Sequence, residues 1–227
     1  MTNQEYKTRS HEALRFNWSP AVLATVILML VVIIYVGASE MPTFMGLSQN
    51  VQLALSGGSL IFALLIYYPL EVGYFNAMRV FVIDGDKDAT ANMWKFTTNN
   101  YLHIVWGYVV MEIKLLLWTM LFIIPGIIKS FAYAMTPFIL VEFPELTANE
   151  ASKLSDELMK GHKFDLFYLL LSFIGWFLLC LFTAGIGFLW LEPYVTGAMA
   201  VFYEDVKSQY PGDLAPATKV PGFPQEV

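Results

Sequence analysis

The stretch from Tyr101 to Val141, YLHIVWGYVVMEIKLLLWTMLFIIPGIIKSFAYAMTPFILV, decides how this chain folds. Its roughly forty residues are largely apolar, and at 1.5 Å of rise per residue one helix of that length would overshoot about 30 Å of hydrocarbon twofold. Pro125-Gly126 is the natural place to double back, since proline breaks a helix and glycine tolerates the turn. The reading is two crossings, 101–124 and 126–141. Further out, 21–38, 51–81, 166–182 and 186–203 are also apolar, with Thr183-Ala184-Gly185 as the turn between the last two. The residues are 57% hydrophobic and only 14% charged, against about 25% charged in soluble domains, so the bilayer is the indicated solvent.

A pattern recurs along these stretches. Ala77-Met78-Arg79-Val80-Phe81, Ala134-Met135-Thr136-Pro137-Phe138 and Ala198-Met199-Ala200-Val201-Phe202 are each followed by acids: Asp84, Glu142, and Glu204 with Asp205. Thr90-Ala91-Asn92 recurs as Thr147-Ala148-Asn149 at the offset of the first two copies. The repeat predicts one unit used three times, a hairpin closing on Ala-Met-x-x-Phe. The expected fold is therefore all-α, a polytopic membrane protein of six transmembrane helices in three parallel-repeat hairpins with both termini cytoplasmic. Its domains would be a cytoplasmic segment 1–19, a membrane domain 20–206 and a disordered tail 207–227, rich in proline and glycine after Tyr210.

The basic residues set the orientation. Lys7, Arg9 and Arg15 precede the first stretch; Arg79, Lys87 and Lys95 surround the second connection; Lys153, Lys160 and Lys163 lie in the fourth; Lys207 and Lys219 follow the last. The alternate connections near Glu40, Pro125 and Ala184 carry none, so the positive-inside rule puts both ends in the cytoplasm. Val36-Gly37-Ala38 resembles a signal-peptidase site, but its apolar run is longer than an h-region, and the first stretch is expected to be retained. Thr147 and Glu150 form a capping box that opens an amphipathic helix to about Lys160, and Thr90 is the expected cap of its counterpart; both helices should lie along the inner surface.

Five charges fall inside the apolar stretches: Glu71, Glu112, Lys114, Lys129 and Glu192. Glu71, Lys129 and Glu192 each stand thirteen residues before Asp84, Glu142 or Asp205, about 20 Å along a helix, and Glu112 falls at about 18 Å from Asn100. One polar layer is expected, facing the interior because each charge costs at least ~2.5 kcal/mol in lipid. It is either a ligand-binding site or a pair of Lys–Glu bridges with one acid left over.

No catalytic signature accompanies it. His-Glu-x-x-His, Gly-x-Ser-x-Gly and a Gly-rich phosphate loop are absent, and Asp84-Gly85-Asp86-Lys87-Asp88 lacks the glycine and glutamate of a calcium loop. No enzyme activity, metal or cofactor is predicted. The lone cysteine, Cys180, permits no internal disulfide, and no basic stripe with aromatics suggests nucleic acid.

From Ile124 onward the chain resembles a known family. Ile124-Pro125-Gly126-Ile127-Ile128-Lys129-Ser130, Leu158-Met159-Lys160-Gly161-His162-Lys163, Leu171-Ser172-Phe173-Ile174-Gly175-Trp176, Trp190-Leu191-Glu192-Pro193-Tyr194 and Phe202-Tyr203-Glu204-Asp205 carry the likeness. It is to the bacterial integral membrane proteins catalogued as domain of unknown function 975, with a weaker likeness to the membrane domain attached to some glycerophosphodiesterases. The resemblance implies a multi-pass protein of the bacterial cytoplasmic membrane and assigns no catalytic residue. The expected function is binding or transport of a small solute or lipid through the polar layer. The alternative is a membrane scaffold or accessory subunit that docks a protein partner through the amphipathic helices. Membrane lipids are expected partners, and the oligomeric state stays open.

Overall fold

The computed structural model of the protein describes residues 1–211, and every regular element among them is helical. In chain order these are α1 (Asn3–Leu14), α2 (Trp18–Phe44), α3 (Gln49–Phe62), α4 (Tyr68–Arg79), α5 (Ala89–Thr98), α6 (Tyr101–Leu121), α7 (Ile123–Tyr133), α8 (Thr136–Glu142), α9 (Ala148–Leu158), α10 (Lys163–Leu171), α11 (Ile174–Phe182) and α12 (Phe188–Ser208). A π-helical turn, Ala63–Tyr67, joins α3 to α4, and a second, Val80–Asp84, ends it.

Among the described residues five segments are long and apolar enough to cross a membrane: Trp18–Met41, Gln49–Asp84, Tyr101–Leu121, Ile123–Glu142 and Lys163–Phe182. The expectation of six crossings is corrected to five candidate spans. The stretch 186–203 is the one that fails. It lies in α12, where every 18-residue window contains Glu192, Glu204 and Asp205, a charge density that partitions poorly into hydrocarbon.

The three-hairpin repeat is corrected with it, as is the placing of both termini that rested on six crossings. Five candidate spans do not divide into three hairpins, and the three Ala-Met-x-x-Phe copies differ in backbone. The first runs from α4 into a π turn, the second straddles the break between α7 and α8, and the third lies within unbroken α12. Pro137 accounts for part of the difference. It sits in the first turn of α8, where the missing N–H costs nothing, so a new helix starts there.

Boundaries shift for similar reasons. The turn expected at Pro125-Gly126 comes at Phe122, whose backbone is extended, and both residues fall inside α7. Gly126 instead permits a close crossing, since a Cβ there would meet Thr119 Oγ1 at 2.6 Å. The predicted tail from 207 begins inside α12, which continues to Ser208; the rest of that prediction, from residue 212, lies outside the described residues.

Burial divides the molecule. Exposed large apolar side chains fill the outer parts of α2, α3, α6, α7 and α11, as lipid-facing helices should. None occurs between Tyr67 and Met93, between Lys129 and Lys163, or from Leu191 to Pro211. Those segments hold the core instead, in two clusters around Phe138, Phe202 and Tyr203, and around Tyr74, Met78 and Phe81.

Three short helices complete that core rather than lying flat outside it. α1 packs on α12, α5 on α4, and α9 against α6, α7 and α8. Each hands a hydroxyl to a carbonyl of its neighbour: Ser10 to Tyr194 at 2.9 Å, Thr97 to Pro69 at 3.3 Å, and Ser155 to Ala132 at 2.8 Å. Glycine makes two of the approaches possible. A Cβ on Gly73 would lie 2.2 Å from Thr97 Oγ1, and one on Gly197 would lie 2.4 Å from Ser10 Oγ.

Candidate functional site

Glu71 lies in the first turn of α4, one turn beyond Tyr67 in the preceding π segment. The Tyr67 hydroxyl donates to its Oε1 at 3.1 Å and the Tyr108 hydroxyl, from α6, to its Oε2 at 3.2 Å. Aromatic rings hold these donors in place. Tyr67 stacks on Tyr35 of α2 with centroids 5.9 Å apart, and Tyr108 stacks on Tyr68 at 4.9 Å. A π turn widens the helix by one residue per turn and is common at functional positions, and here it precedes the acid directly.

Glu192 projects from α12 toward the same region. Thr196 donates to its Oε1 at 3.4 Å, and fully buried Tyr74, paired with Thr25 at 2.9 Å, lies within its electrostatic reach. Glu71 is in turn within electrostatic reach of both Glu192 and Glu112. Three of the five expected charges are thus acids gathered on α4, α6 and α12. Among the described residues no ammonium or guanidinium pairs with any of them.

The two lysines stand apart from the acids. Lys129 of α7 bridges to Asp156 of α9 at 2.7 Å and lies 5.4 Å from the Trp118 ring and 5.6 Å from that of Tyr133. Lys163 takes the other oxygen of Asp156 at 2.9 Å. Burial works to raise the Asp156 carboxyl, but the two ammonium groups outweigh it and hold it below its ordinary value. Lys114 lies near Lys129 and Lys153 and has no acidic partner among the described residues. The structure therefore sorts the five charges into an acidic group and a basic group, with Asp156, an acid outside the apolar stretches, balancing the latter.

A second charged cluster ties the ends of three helices. Arg79 meets Glu204 at 2.8 Å, Lys207 meets Glu204 at 2.6 Å and Glu142 at 2.7 Å, and the buried Tyr203 hydroxyl donates to Glu142 at 2.6 Å. Beside them Asp205 accepts from Tyr6 at 2.5 Å and from the Met1 amine at 2.9 Å. Sequence reasoning noted the acids after each Ala-Met-x-x-Phe copy but not their partners. The signal was there in Arg79, a cation inside the first copy. Each charge here meets an opposite one, so the cluster reads as a clamp on helix ends rather than a site, although Arg79 Nε is buried without a hydrogen-bond partner.

What remains chemically open is the acid–tyrosine cluster. Carboxylates with hydroxyl donors on one side and aromatic rings around them can take up a proton or an ammonium-type cation, the rings attracting positive charge through their faces. Among the described residues no group of three or more His, Cys, Asp or Glu is gathered as a metal would require.

An all-helical, multi-pass membrane protein with an unpaired acidic cluster between its helices is the class these observations define. Residues 58–210, more than half of the chain, match the model of the family described as Protein of unknown function (DUF975), and the chain belongs to that family. No curated protein and no solved structure matches it.

Proposed function

We propose that this protein binds, and carries across the membrane, a small solute bearing a positive charge, with Glu71 and Glu192 as its counter-charges and no enzymatic step. One observation carries the reading. Both carboxylates are half-buried on neighbouring helices and meet only hydroxyl groups, whereas Lys129 is bridged to Asp156 and Lys114 lies near Lys129 and Lys153. Acids kept without a cation inside a membrane protein are costly and mark ion or substrate pathways. The scaffold reading has less support, because the apolar face of α9 is buried against α6–α8 and Met93 of α5 against α4, leaving Trp94 as the exposed large apolar residue of α5.

The test is binding of a lipophilic cation, tetraphenylphosphonium, to the purified protein by calorimetry. Glu71→Gln and Glu192→Gln should each weaken binding about tenfold or more, the loss of one charge-assisted contact. Tyr108→Phe should weaken it less. Unchanged affinity in both glutamine variants, with folding intact, would remove the proposal.

We infer further that the membrane is a bacterial cytoplasmic membrane and that α1 faces the cytoplasm. Lys7, Arg9 and Arg15 before α2, and Lys87 and Lys95 after α4, support the inward side for these segments. In a Cys180→Ser background, a cysteine at Thr43 should react with an impermeant maleimide on intact cells, and cysteines at Asp86 and Glu150 should not. Labelling at Asp86 from outside would reverse the orientation.

A further inference from the structure

A cavity of about 350 Å³ lies between the start of α2 and the α11–α12 turn, at a place the acid–tyrosine cluster does not occupy. Trp18 of α2, Trp176 and Cys180 of α11, and Trp190 and Tyr194 of α12 form its walls. His11 of α1 lies between two of these, its ring edge-on to Trp18 at 6.4 Å and to Tyr194 at 6.0 Å. Trp176 and Trp190 are still 53% and 47% exposed, so the cavity opens sideways onto the surface that faces lipid rather than into the bundle.

We propose that this cavity holds one acyl chain of a membrane phospholipid, with the lipid phosphate drawn to Arg15. The volume takes part of such a chain: at about 30 Å³ for a water-sized group, it has room for roughly ten methylene-sized ones. The walls are almost wholly apolar, as a chain requires, and tryptophan is the side chain that settles at the junction of hydrocarbon and headgroups. Charge complementarity selects the head. Arg15 is exposed, caps the end of α1 one turn beyond His11 and three residues before Trp18, and its planar fork of donors matches a phosphate. The site is separate from Glu71 and Glu192, so it stands or falls independently of the cation proposal.

The experiment is native mass spectrometry of the full chain in an alkyl maltoside, titrated with phosphatidylglycerol and with diacylglycerol, which shares the chains but lacks the phosphate. The parent should retain one phosphatidylglycerol, about tenfold more tightly than diacylglycerol. Leu179→Phe, which puts a ring into the cavity, should abolish retention of both. Arg15→Gln, an exposed change that leaves the core intact, should erase the preference and leave diacylglycerol binding as it was. The proposal fails if the parent retains neither lipid, or holds both equally. It fails too if Arg15→Gln keeps the parent's affinity for phosphatidylglycerol, whatever the folding of Leu179→Phe.

Discussion

Asp156 shows how one side chain can fix where its neighbours go. Sequence logic assigned Lys129 a glutamate of the membrane interior, yet the lysine turns to an aspartate on α9 that also receives Lys163. A carboxylate that is only about a quarter exposed, with an ammonium on each oxygen, costs little to desolvate relative to an unpaired glutamate deeper in the bundle. A pH dependence follows from its lowered pKa. The carboxyl sits below its ordinary 3.8 in the folded protein, so the bridge contributes fully above about pH 4 and its contribution is lost as pH falls through the lower folded value. Thermal unfolding followed between pH 6 and pH 3 should show a Tm drop in the parent that is smaller in Asp156→Asn. The asparagine variant should already be less stable at neutral pH, by about 1 kcal/mol after allowing for solvent screening. Equal slopes in the two proteins would assign the acid sensitivity to other carboxyls.

Elements were legible wherever a local rule had no competitor. The capping box at Thr147 and Glu150 is present, and Ala151, Leu158 and Met159 are buried on the face the periodicity marks. Its expected counterpart at Thr90 is displaced, because Asp88 is an equally good cap two residues earlier and accepts from Ala91 N at 3.0 Å. Left-handed Gly85 turns the chain out of the π segment and makes that earlier start possible. The direction of α1, α5 and α9 was not legible. Amphipathicity says that one face of a helix is buried but not by what, and lipid headgroups and a helix bundle satisfy it equally. Only the spacing of Gly73 and Gly197 hints at the answer, through the close approaches they allow. The tyrosine partners of Glu71 were equally hidden, since Tyr108 reaches it across two helices and Tyr67 through a π turn that no sequence period announces.

At the scale of the whole molecule, membrane residence and helical class could be read from composition and from runs of twenty apolar residues, because hydrocarbon leaves the backbone few other options. The number of spans could not, since α12 is helical and long but too charged to stand in lipid on its own. That feature has a bearing on how the protein is made. A helix carrying Glu192, Glu204 and Asp205 must be received by surfaces already in place, and those it meets most belong to α1, α2 and α4, among the first parts of the chain to leave the ribosome. The amino-terminal helix must therefore wait, its buried Tyr6 and Ser10 without their shelter, until nearly the last helix has been synthesised. A nascent chain arrested after Gly187 should yield to trypsin at Lys7 and Arg9, and one extended past Ser208 should resist there. If the shorter chain resisted equally, biogenesis would proceed without α12 as its closing step.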